Sequence, residues 1–151
     1  MNLNFDEGLK EFEINGDPNR VIRFNPNDLA FAERYENARE KALKLAKKYE
    51  ADMKRNKVLA NKNPNNDVSG KILKDSNKEI RDLINSVFDD NVADIIFGRT
   101  HPLTVANGNF LVLNFLNALN SLITESMNES LSDIEKSKIE DYKKQYDSLP
   151  S

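Results

Sequence analysis

The feature that most restricts how this chain can fold is a run of apolar residues, Phe31, Tyr35, Ala38, Ala42, Leu45 and Tyr49, spaced by four, three, four, three and four positions. That spacing is a heptad-like seam along one side of an α-helix. Asn25-Pro26-Asn27-Asp28, just before it, reads as a helix start. Asn25 supplies an N-cap, Pro26 takes the first helical position where its missing N–H costs nothing, and Asp28 lies near the positive end of the helix dipole. The predicted helix covers 26–59 and extends about 45 to 50 Å, longer than a compact domain of this size is wide. Part of it therefore protrudes. Ala38 and Ala42 allow a second helix to approach closely, either from the same chain or from a neighbouring subunit of a homo-oligomer.

The residues before this helix follow a different period. Leu9, Phe12 and Ile14 lead into Asn15-Gly16-Asp17-Pro18-Asn19, after which Val21, Ile22 and Phe24 resume the apolar run. Asn-Gly tolerates positive φ and Asp-Pro fixes a turn, so a β-hairpin is predicted over 9–24. A lone hairpin is marginal in water and must pack on helices or extend another sheet.

Downstream, Asn61-Lys62-Asn63-Pro64-Asn65-Asn66-Asp67 is a loop by composition, and a helical core is predicted over 68–127. Ile72, Ile80, Leu83, Ile84, Val87 and Phe88 mark its first helix. Val92, Ile95 and Ile96 mark a short one stopped by Gly98, and 99–108 form a connecting loop. The helix from Phe110 to Met127, capped by Gly108 or Asn109, is the most apolar. Its polar positions Asn114, Asn117, Ser121 and Thr124 make one narrow stripe, so it belongs at the centre of the fold. Ser132-Asp133-Ile134-Glu135 matches a capping box and starts a charged helix, within 130–147, that carries Leu131, Ile134, Ile139, Tyr142 and Tyr146 and is loosely docked. The expected fold is thus mainly α: a single domain, 1–151, with an N-terminal β-hairpin and about five helices, one of them long and one hydrophobic and buried.

Composition narrows the function classes. The 151 residues contain no cysteine and a single histidine, His101, so neither a thiolate cluster nor a His-based zinc site can be assembled, and no disulfide can form. The apolar stretch 110–123 is shorter than the roughly 20 residues of a membrane span, and the N-terminus lacks the pattern of a secretory signal. No phosphate-binding loop or dinucleotide fingerprint occurs. Asp89, Asp90 and Asp94 could in principle hold Mg²⁺ or Ca²⁺, but acids at a helix start are explained by capping and the dipole. Between Arg39 and Lys62 nine basic residues face three acidic ones, against a net charge of −3 for the whole chain. That stretch is either a solvated helix face or a contact for an acidic partner; with no aromatic platform beside it, nucleic acid is disfavoured. No catalytic residue, cofactor or metal is expected, and the inventory points to a non-enzymatic protein that binds other polypeptides.

Several segments resemble a known family. Ile14-Asn15-Gly16, Arg20-Val21-Ile22-Arg23-Phe24-Asn25-Pro26-Asn27-Asp28, Phe31 and Tyr35 look like the start of the small tail assembly chaperones of siphophages infecting Gram-positive bacteria. Ile95-Ile96-Phe97-Gly98, Pro102-Leu103-Thr104-Val105 and Asn107-Gly108-Asn109-Phe110-Leu111-Val112-Leu113-Asn114-Phe115-Leu116 resemble their later half, so the likeness covers residues 12 to 125. The resemblance implies a protein that coats the long helical tape measure protein, in the cytoplasm of the infected host, until tail tube subunits polymerise around it. The anchors expected for such contacts are Phe31, Tyr35, Ala38, Ala42, Leu45 and Tyr49. The alternatives are a minor virion component, such as a tail or head completion protein, and a generic helical interaction module.

Overall fold

A computed structural model describes residues 1–56 and 67–147. Strands β1 (Lys10–Ile14) and β2 (Asp17–Phe24) form an antiparallel pair joined by Asn15 and Gly16, both at positive φ. The turn is tighter than the sequence suggests, because Asp17, Pro18 and Asn19 already belong to β2. Register runs Lys10 opposite Phe24 to Glu13 opposite Val21, then shifts so that Ile14 faces Asp17. This bulge accommodates Pro18, which has no N–H to give the ladder. The Asp17 carboxylate accepts from the Asn19 N–H at 2.9 Å.

The hairpin is held by aromatic packing. Phe24 contacts Phe12, Phe31 and Phe88 with ring centroids 4.7 to 5.2 Å apart, separations at which offset and edge-on rings attract. Arg20 reaches from β2 to the backbone carbonyls of Ile95, at 2.9 Å, and Ile96.

Helix α1 (Leu29–Arg55) begins three residues later than expected. Its cap is Asp28, which accepts from the Ala30 N–H at 2.9 Å. Asn25 instead closes the preceding turn: its side chain accepts from Asn27 N–H at 2.8 Å and its carbonyl from Asp28 N–H at 3.2 Å. Pro26 thus sits buried in a turn and not at the first helical position. At the far end Asn56 caps the helix by donating to Asp52 O. The predicted continuation through 57–59 and the loop over 61–66 lie outside the described residues.

Helix α2 (Asp67–Phe88) packs along α1 and buries Ile80, Ile84 and Val87. Helix α3 (Ala93–Phe97) is a single turn whose own cap residue, Val92, offers no side-chain acceptor. Asn85 of α2 serves instead, accepting from the N–H groups of Val92 at 2.9 Å and Ala93 at 2.8 Å. The segment expected to be a plain loop contains a second small hairpin, β3 (Val105–Ala106) and β4 (Asn109–Phe110), turning on Asn107 and Gly108 at positive φ.

The last element corrects the expected helix count. Helix α4 (Leu111–Asp147) runs 37 residues without a break, so four helices, not about five, occur among the described residues. Between Met127 and Ser132 there is neither proline nor glycine, and a helix already nucleated propagates cheaply through Asn, Ser and Asp. The capping box at Ser132 is therefore bypassed. At its start α4 is capped by main chain, since Leu111 N–H donates to Thr104 O at 2.8 Å and Val112 N–H to Pro102 O at 2.9 Å.

Candidate functional site

The seam singled out in α1 is interior. Phe31, Tyr35, Ala38, Ala42 and Tyr49 are 1 to 4 % exposed, and Leu45 is half-buried at the edge of the same cluster. The chain itself covers them: Tyr35 Oη donates to Leu116 O of α4 at 2.9 Å, Tyr49 Oη donates to the Glu79 carboxylate of α2, and Phe31 meets Phe24 and Phe88. Of the two companions the sequence allowed, the structure supplies the intrachain one. A foreign partner could engage the five buried side chains only if α1 parted from α2 and α4, while Leu45 alone presents part of its surface.

Burial raises the Tyr35 phenol above its ordinary range, with Arg39 opposing. It raises the Tyr49 phenol strongly, helped by the hydrogen bond to Glu79 and the negative charges of Glu79, Asp75 and Asp52. Both phenols stay protonated through neutral pH.

An open apolar groove lies elsewhere, between the first hairpin, α3 and the start of α4, with a volume of about 400 Å³. Phe115, Ala118, Leu119 and Leu122 of α4 floor it at helical spacing. Phe12, Ile14, Ile22 and Phe24 form a wall, and Ile96 and Phe97 line it from α3. Polar side chains come only from Glu13, Asn15 and Asn114, and the Asn114 amide already donates to Ala106 O at 2.8 Å. Such a space, mainly apolar and within the roughly 300 to 1,000 Å³ of ligand clefts, accepts apolar side chains, with polar groups confined to Glu13, Asn15 and Asn114.

The groove exists because α4 is more apolar than its own packing needs. Val112, Leu116, Leu119 and Ile123 face the core, whereas Leu111, Phe115 and Leu122 are half-buried and Ala118 is exposed. The expectation that this helix lies at the centre of the fold thus holds for one side only. Its broad apolar face was the signal for a groove in the sequence, but nothing there indicated which side the hairpin would leave uncovered.

The remaining candidates are tied into the fold. His101 Nδ1 accepts from the Leu103 N–H at 3.0 Å, so the ring proton sits on Nε2, which faces Leu73 O at 2.9 Å and Ser76 Oγ at 3.1 Å. A histidine activating a serine needs a bare Nε2; here that nitrogen carries the proton, and Ser76 is fully buried. Asp94 pairs with Arg81 at 2.7 Å, Asp90 accepts from Asn91 N–H at 2.7 Å, and among the described residues no group of three or more such side chains is placed to hold a metal ion. The lysines of the basic stretch, including Lys41, Lys44 and Lys47, are exposed on α1, Lys54 pairs with Glu50 at 3.1 Å, and residues 57–62 lie outside the described residues. No helix among the described residues is long and apolar enough to cross a membrane. Comparison with protein-family profiles, with curated proteins and with solved structures gave no match.

Proposed function

We propose that this chain is a non-enzymatic binding protein that holds an apolar helical segment of another polypeptide in the groove beside α4, and that its role is that of a tail assembly chaperone for a tape measure protein. The observation that carries the reading is the groove, open, about 400 Å³ in volume and mainly apolar. A helix laid against it would project residues at i, i+3, i+4 and i+7 toward Phe115, Ala118 and Leu122, which present the same periodicity from the other side. Groove contacts of this size bury little area, so each is weak and releasable, which suits a partner that must later be surrendered. The family resemblance of residues 12 to 125 supplies the identity of that partner and the host cytoplasm as the place of action.

The test is co-expression with a candidate tape measure protein. The proposal expects the partner to stay soluble and to co-purify, and expects the chain to be absent from mature particles. A partner that precipitates equally with and without the chain refutes chaperoning. Stoichiometric presence of the chain in purified virions would favour the virion-component alternative.

A further inference from the structure

The exposed half of α4 carries an apolar stripe unconnected with the groove. Leu131, Ile134, Ile139 and Tyr142 are 60, 52, 55 and 71 % exposed. At 100° per residue they fall within about 140° of arc, one side of the helix, with Glu135 and Lys138 crossing the middle of the same arc. The order of the strip is internally mirrored. Counting outward from the midpoint between Lys136 and Ser137, Ile134 and Ile139 stand at equal distances, and so do Leu131 and Tyr142.

We infer that this stripe takes a second copy of the same chain, laid antiparallel across a two-fold axis at that midpoint. In this register Ile134 of one copy lies level with Ile139 of the other and Leu131 with Tyr142, each pairing occurring twice, as a two-fold interface requires. Charge selects the direction. Glu135 and Lys138 also stand at equal distances from the midpoint and project within the strip, so antiparallel pairing sets each Glu135 against the other copy's Lys138. Parallel pairing in register would instead stack glutamate on glutamate and lysine on lysine, which is repulsive. A foreign helix has no reason to match this mirror relation, whereas a second copy matches it by construction.

The apolar strip rises only about 16 Å from Leu131 to Tyr142, so the association is weak and driven by concentration. The groove floor at Phe115, Ala118 and Leu122 lies on roughly the opposite side of α4 by the same angular count, so pairing leaves both grooves open. The inference therefore stands apart from the proposed function, and either can fail without the other.

Sedimentation velocity of the full chain over a hundredfold range of concentration tests it, with circular dichroism confirming that each variant stays helical. The wild type should self-associate as concentration rises. Glu135→Lys and Lys138→Glu should each weaken association at least tenfold by setting like charges together, and the double variant should restore it. Because the chain has no cysteine, a second readout is available: Ile134→Cys mixed with Ile139→Cys should form a disulfide-linked heterodimer faster than either variant links to itself. A wild type that stays monomeric throughout, single charge variants that associate as the wild type does, or cross-linking without preference for the mixed pair would each overturn the inference.

Discussion

Replacing Ala118 by glutamate separates binding from folding, because Ala118 floors the groove yet is exposed and takes no part in the core. Glutamate is a good helix former, so the change at an exposed helical position should alter stability by no more than about 0.5 kcal/mol. Its side chain would occupy space between Phe115 and Leu122 that a partner needs for about one leucine-sized anchor. Burying such an anchor contributes about 2 kcal/mol, so its exclusion alone should weaken binding roughly thirtyfold. The carboxylate would also face the apolar wall of Phe12 and Phe24, which adds a desolvation cost in the same direction. Fluorescence anisotropy with a labelled tape measure segment measures the loss, and urea denaturation verifies the fold. Ala118→Ser, which adds little volume, should bind nearly as the wild type does. If Ala118→Glu is as stable as the wild type and its Kd changes less than twofold, partner docking in this groove is refuted.

Other perturbations address the framework that shapes the groove. Arg81 of α2 donates to Asn77 within its own helix and to Asp94, Gly98 O and Thr100 O at and beyond α3, at 2.7 to 2.9 Å; because the acceptors at and beyond α3 are exposed and can be rehydrated, Arg81→Leu should cost about 1 to 2 kcal/mol, lowering Tm by roughly 2 to 8 °C. Asn85→Ala removes the side-chain cap of α3 and should cost about 1 kcal/mol, read from the urea midpoint with the m-value unchanged. The raised phenols make a pH prediction. In the folded chain Tyr35 and Tyr49 keep their protons above pH 10, where the unfolded chain releases them, so their stabilising contribution is complete below about pH 10 and is lost as pH rises further. Unfolding free energy should therefore fall with rising pH in that alkaline range, and Tyr49→Phe should flatten the slope; a slope of the opposite sign would contradict the burial described.

What could be read from the sequence was what local chemistry decides. Asn15-Gly16 demanded positive φ and marked the hairpin turn, and the seam from Phe31 to Tyr49 defined the buried side of α1. The start of α1 was misplaced because Asn25 and Asp28 are both competent caps. The choice between them is made by the turn that Asn25 closes and by the packing of Pro26, neither visible locally. The division of α4 was misjudged for a related reason: a capping box signals a start only where the chain is not already helical. The groove was least legible. Phe12, Phe115 and Leu122 look like core residues one at a time, and only the placement of the hairpin against one flank of α4 leaves their outer surfaces open.

The unbroken course of α4 makes chain length between its two working regions a matter of phase. Residues 118 and 131 share one rod, so adding a single residue between Ile123 and Leu131 would swing the outer stripe by about 100° relative to the groove and push it about 1.5 Å further along the axis. Adding seven would bring it back to within about 20° of its original bearing, about 10 Å farther out. A single-residue insertion there would therefore turn a paired copy toward one flank of the groove, whereas a whole heptad would keep the two faces opposed.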